Sequence, residues 1–209
     1  MGIRSVITMR FNYDLKDRNV FSYSQYREHK NRLLSSNKTT GADHSDSKIA
    51  YTQLNVTRMN RLDKKSEIRE DLASLIKGLE AQTWLVLSEA WCGDAAQNLP
   101  WIQKMAELNP KISYKIILRD ENLDIMDEFL TNNGRGIPKL IAIDNSNEVL
   151  FDWGPRPGYI QNKFLELRAH GLNHADVTKS IQLLYARDKG MSIQNDFLDL
   201  LKQLEMVKV

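Results

Sequence analysis

The chain has 209 residues, enough for one substantial domain or a smaller domain with helical additions. Its 42% hydrophobic and 27% charged residues are ordinary for a globular protein, and 29 Lys plus Arg against 27 Asp plus Glu leave a net charge of +2. That balance argues against nucleic acid or an anionic membrane as partner, a single cysteine excludes an internal disulfide, and no run approaches the ~20 apolar residues of a membrane span.

The first ten residues lack an apolar stretch long enough for export, and Val6 stands where a myristoylation signal on Gly2 needs Ser or Thr. With one cysteine, this reads as a cytoplasmic protein. Residues up to about Asn19 read as an arm. Ser22-Tyr23-Ser24-Gln25 fits a capping box that opens a helix to about Leu34. A polar connection (35–43) follows, and Ser45 or Asp46 caps a helix through Ile49, Leu54, Met59 and Leu62. Ile68, Leu72, Leu75, Ile76 and Leu79 have the spacing of a third helix.

Next come a strand over 83–88, a helix over 94–108, a strand over 112–118 and a helix from about Leu123 to Asn132, ended by Asn133-Gly134. Strands 139–144 and 148–153 flank the polar turn Asp144-Asn145-Ser146-Asn147. After Gly154-Pro155-Arg156-Pro157-Gly158 a helix begins at Tyr159. Gly171 and Gly190 punctuate two more, the last carrying Ile193, Phe197, Leu200, Leu201 and Leu204. The order β-α-β-α-β-β-α predicts an α/β fold with a mixed sheet, parallel where a helix crosses over and antiparallel across the four-residue turn.

The stretch richest in chemistry is Ser88-Glu89-Ala90-Trp91-Cys92-Gly93-Asp94-Ala95. Cys92 falls in a strand-to-helix turn, where free backbone N–H groups and the helix dipole favour a thiolate and an accessible, reactive sulfur. Its pKa is expected to fall, with Asp94 in the first helical turn opposing the shift.

Trp91-Cys92-Gly93-Asp94-Ala95 after an apolar strand resembles the active site of the thioredoxin superfamily, with Ala95 in place of the second cysteine. Downstream, Arg135-Gly136-Ile137-Pro138 before Leu140-Ile141-Ala142-Ile143 is similar to the thioredoxin segment whose cis-proline faces the sulfur. Glu148-Val149-Leu150-Phe151-Asp152-Trp153-Gly154 resembles the last strand and its glycine. The resemblance spans roughly Leu72 to Leu167. More narrowly, it points to a largely uncharacterised bacterial thioredoxin-like family with a helical N-terminal extension. It implies an N-terminal arm and helical extension over 1–66, a thioredoxin-like domain over 67–169, and a C-terminal helical extension over 170–209.

The resemblance makes Cys92 the catalytic thiol. Trp91, Gly93, Ile137, Pro138 and Gly154 would bind substrate, and Asp94 and Ala95 would tune the thiol. Arg156, Arg119 and Arg135 are further cationic candidates near it. The position of the thioredoxins' buried acid is held by Val86, leaving Glu89, Asp94 and Arg119 as the nearest chargeable groups. The implied activity is monothiol exchange with a protein disulfide or low-molecular-weight thiol, resolved from outside because Ala95 has no sulfur. Two alternatives stand beside it: a redox-inactive binding module for peptide or protein, and a single-thiol redox sensor. No cofactor or metal is implied. His170 and His174 stand four apart, but Gly171 between them and the lack of sulfur ligands argue against a metal site.

Overall fold

Gln82–Ser88 is buried along almost its whole length, which requires cover on both faces and places it at the centre of a sheet. The computed structural model describes residues 9–207. In chain order the elements are β1 (Val20–Phe21), α1 (Tyr23–Ser35), α2 (Asp46–Lys65), α3 (Glu70–Lys77), β2 (Gln82–Ser88), α4 (Gly93–Ala106), β3 (Ile112–Leu118), α5 (Leu123–Glu128), β4 (Lys139–Asp144), β5 (Val149–Trp153), α6 (Gly158–Ala169), α7 (His174–Asp188) and α8 (Met191–Val207).

The sheet order is β1-β3-β2-β4-β5. β2 and β3 are parallel, joined through α4, while β4 runs antiparallel to both β2 and β5. The result is an α/β, thioredoxin-like mixed sheet with added helices. The expected rule that a helical crossover gives parallel neighbours holds for β2 and β3 only. After β3 the chain passes to the other side of β2 and returns antiparallel.

That return explains one shortened helix. α5 stops at Glu128, four residues before the expected end, because Asn132 and Asn133 take positive φ in a tight turn bridged between Thr131 and Gly134. The N-terminal segment also departs from expectation. Of the arm expected to about Asn19, residues 1–8 lie outside those described, but Phe11 is a core residue. Phe11 N donates to Asn147 O (2.7 Å) and Val149 N to Met9 O (2.8 Å), so this segment pairs along the β4–β5 turn. Val20–Phe21 then adds an edge strand to β3.

The Ser22/Gln25 capping box is present at α1. On α2, Ile49 and Met59 are buried but Leu54 is exposed, and Thr52 and Asn55 take its place on the inward face. α8 is joined to the sheet by an aromatic cluster in which Phe197 packs on Trp84, Phe151 and Trp153. α6 and α7 share a small separate core of Ile160, Val177, Ile181 and Tyr185.

Candidate active site

β2 ends at Ser88, and after Glu89, Ala90 and Trp91 the chain reaches Cys92, the N-cap of α4. A serine or aspartate commonly holds this position; here the sulfur takes the role, accepting from Ala95 N at 3.4 Å. The thiol in turn donates to the Ile137 carbonyl at 3.2 Å. Ile137 precedes Pro138, and the peptide bond between them is cis. The 92 and 137–138 segments, 45 residues apart in sequence, thus meet at the sulfur.

Gly154 completes this side. Its φ of +120° suits glycine, and a Cβ there would stand 2.1 Å from the Pro138 carbonyl oxygen. Gly154 therefore seats the end of β5 against the proline loop, whose Ile137 carbonyl meets the sulfur. Gly136 packs closely on Pro155, which follows a second cis bond.

The electrostatics overturn two expectations drawn from the motif. Cys92 is only 8% exposed, and burial pushes its thiol up to about 12, with the Asp94 carboxylate adding to the rise. The Ala95 and Asp94 amides and the Arg156 guanidinium pull the other way but lose. The bond to Ile137 O also favours the protonated form, since only a thiol has a hydrogen to donate. A helix N-terminus depresses a thiol that faces solvent; here the thiol is buried.

Helices α2 and α7 lie beside the turn that carries it. From α2, buried Asn55 donates to Ala90 O (2.9 Å) and accepts from Arg58 Nη1 (2.8 Å). A Cβ on Gly93 would lie 3.5 Å from that Arg58 nitrogen and 3.0 Å from Gln182 Nε2 of α7. Gly93 is therefore flanked by both helices. Asp94 is half-buried and held by Arg156 Nη2 at 2.7 Å and Tyr185 OH at 3.1 Å. Asn98 Nδ2 donates to Tyr185 OH (3.0 Å), and Gln97 Nε2 to Gln182 Oε1 (2.8 Å). Burial raises the Asp94 carboxyl even against Arg156 and Tyr185.

Trp91 is half-buried, with Lys48 Nζ 4.4 Å and Arg119 Cζ 5.2 Å from its ring centroid. Ala95, where a second sulfur would stand, is buried. Glu89 is fully buried and accepts from Asp120 N at 2.9 Å, so it caps the turn after β3. Arg119 pairs with Asp120 and Arg135 with Asp127, while Arg156, itself paired with Asp94, is the cation that acts on the thiol.

Sequence reading does not find Asn55, Arg58, Gln182 or Tyr185. Asn55 carries a visible signal: with Thr52 it is a polar residue at the core-facing spacing of α2. For Gln182 and Tyr185 there is none, because a partner some 90 residues away leaves no local pattern.

A match to the thioredoxin family covers residues 41–169, so it includes α2 and strands β2 to β5. Among solved structures, the chain resembles a Pseudomonas aeruginosa protein of unknown function, with a TM-score of 0.56 and 18% identity over 88% of this chain and 98% of that one. It also resembles an HIV epitope-scaffold protein, with a TM-score of 0.53 and 17% identity over 88% of this chain and 99% of that one. Both likenesses speak to the fold alone. No curated protein matches. The family match over 41–169 agrees with the sheet order and with the strand–turn–helix that carries Cys92, and the chain belongs to the thioredoxin family.

Proposed function

We propose that the protein carries out monothiol exchange through Cys92. The observation that carries this reading is the placement of the sulfur, 3.4 Å from Ala95 N at the α4 N-terminus and 3.2 Å from the carbonyl before cis-Pro138. The Cys92 thiolate attacks one sulfur of a substrate disulfide, a Cys92–substrate disulfide forms, and the other sulfur leaves as a thiolate that takes up the proton Cys92 gave to solvent. A second thiol from outside then attacks the mixed disulfide, takes the substrate sulfur as a new disulfide and returns Cys92 to the thiol. Ala95 cannot perform that second step. Backbone groups of the Ile137–Pro138 loop would pair with an extended substrate segment, by strand addition. The chemistry suits a reducing compartment rich in small thiols, in keeping with a cytoplasmic protein.

Burial of the thiol favours a second reading, a binding module whose groove recognises peptide or protein without redox chemistry. An insulin-type disulfide reduction assay with a small-thiol reductant separates the two. Wild type is expected to accelerate reduction and Cys92→Ser to lose the effect. If both behave alike, the binding module replaces the exchange reading.

A further inference from the structure

Gly93 and Asp94, the two residues that follow Cys92, lie against α7. α7 packs chiefly on α6, and its buried stripe is narrow: Val177, Ile181 and Tyr185, against Ile160 and partly buried Phe164 and Leu167. This cluster is separate from the main core. Toward α4, by contrast, α7 makes hydrogen bonds: Tyr185 to Asp94 and Asn98, and Gln182 to Gln97. A cavity of about 20 Å³ lies beside the two helices, lined by polar Gln97, Asn98 and Tyr185 and by apolar Leu62, Trp101 and Ile193. It is about the size of one water, so packing at this seam is incomplete.

The two ends of α7 differ. Its C-terminal end is pinned by the Lys189–Gly190 turn, where a Cβ on Gly190 would stand 2.2 Å from the Trp101 ring. Its N-terminal end leaves from the exposed link 170–173. α6 is tied to α8 through Gly158 N and Asp196 Oδ2, at 2.9 Å. Only α7 therefore combines cover over Gly93 and Asp94 with weak apolar anchorage.

We propose that α7 is a lid over Cys92, latched by Tyr185 and Gln182 and pivoting at Lys189–Gly190, and that the thiol becomes reactive when this lid opens. The inference rests on Cys92 being the working thiol. Hydrogen bonds of this kind are individually weak, so an open state can be populated without unfolding the sheet. Opening rehydrates the sulfur and removes the largest cause of its raised pKa. α2, whose Ile49 and Met59 are buried, stays in place as the fixed wall.

The test is alkylation of Cys92 by iodoacetamide in the folded full chain, across urea concentrations below the unfolding transition. A lid opening exposes little surface, so the rate should depend on urea far less than global unfolding does. Tyr185→Phe keeps the ring and removes both hydroxyl bonds; it should raise the rate about five- to tenfold with little change in the unfolding midpoint. Gln182→Ala, remote from the Asp94 carboxylate, should act in the same direction. Hydrogen exchange in residues 174–188 should speed up in both variants while α4 and α8 keep their protection. The idea is overturned if labelling follows global unfolding in every variant, or if neither substitution changes it. Alkylation reads access alone, so a protein inert in the insulin assay but showing these rates would fail as an exchanger while keeping its lid.

Discussion

At the residue scale, the thiol is governed by the contest between burial and the helix end. Asp94 is the one neighbour whose charge can be removed without changing its shape. Asp94→Asn should lower the Cys92 pKa from about 12, because it deletes a raising charge and leaves the lowering Arg156 in place. The same change leaves Arg156 without its carboxylate and should cost on the order of 3 kcal/mol of stability. The pH profile of alkylation reads the first effect and urea unfolding the second. An unmoved pH midpoint would show that Asp94 does not act on the sulfur.

A second titrating residue lies in α1. Lys30 is 1% exposed, its Nζ donates to Met59 Sδ at 2.8 Å, and burial pushes its pKa down to about 7, aided by Arg27 and opposed by Asp63. A depressed lysine costs stability wherever the unfolded chain holds the proton more tightly. The cost is full below about pH 7 and fades as pH rises toward the ordinary lysine value near 10.5. Lys30→Met should therefore stabilise the protein at pH 7 by about 2–4 kcal/mol, and by clearly less at about pH 9.5. Equal gains at both values, measured by urea unfolding, would mean that Lys30 titrates normally.

At the scale of elements, local signals mark the ends well where the cause is local. The Ser22/Gln25 pair sets the start of α1, and the apolar run sets β2. Elements governed by distant contacts are not legible in this way. Asn133-Gly134 has the look of a helix end, yet Asn132 and Asn133 form a tight turn between Thr131 and Gly134 on the way back to β4. Val20–Phe21 is a strand only because β3 offers an open edge. The Cys92 turn is legible as a cap, but the approach of α2 and α7 to its neighbour Gly93 is not, since their contacts are distant in sequence. The loops that meet at the sulfur give an element-scale prediction. Gly154→Ala drives a Cβ into the Pro138 carbonyl and should cost at least about 2 kcal/mol, with a change in Cys92 labelling as the loop shifts. A neutral substitution would mean that the 154 and 138 loops are not in contact.

At the scale of the whole molecule, the added helices are parts of the core. The family match begins at residue 41, within the segment leading to α2, and α2 packs along α4. At the other end, Phe197 of α8 is fully buried among Trp84, Phe151 and Trp153. Phe197→Ala should cost about 3–5 kcal/mol by thermal or urea unfolding. A loss below about 1 kcal/mol would make α8 a peripheral attachment. Among the described residues no helix is long and apolar enough to cross a membrane. The molecule thus encloses its one sulfur between a thioredoxin sheet and two sets of added helices, with the thiol poised against the proline loop but covered.

In the proposed exchange, Cys92 forms a disulfide with substrate that the chain itself cannot release. Intact-mass spectrometry after incubation with the disulfide of a small thiol, followed by removal of the excess, tests it most directly. Wild type should carry one added thiol on Cys92 that persists until an external thiol is supplied, and Cys92→Ser should carry none. Ala95→Cys should take up the same adduct and lose it unaided, closing an internal disulfide between Cys92 and the introduced sulfur in its place. No adduct on the folded wild-type protein, or one shed as fast from wild type as from Ala95→Cys, would contradict the monothiol account.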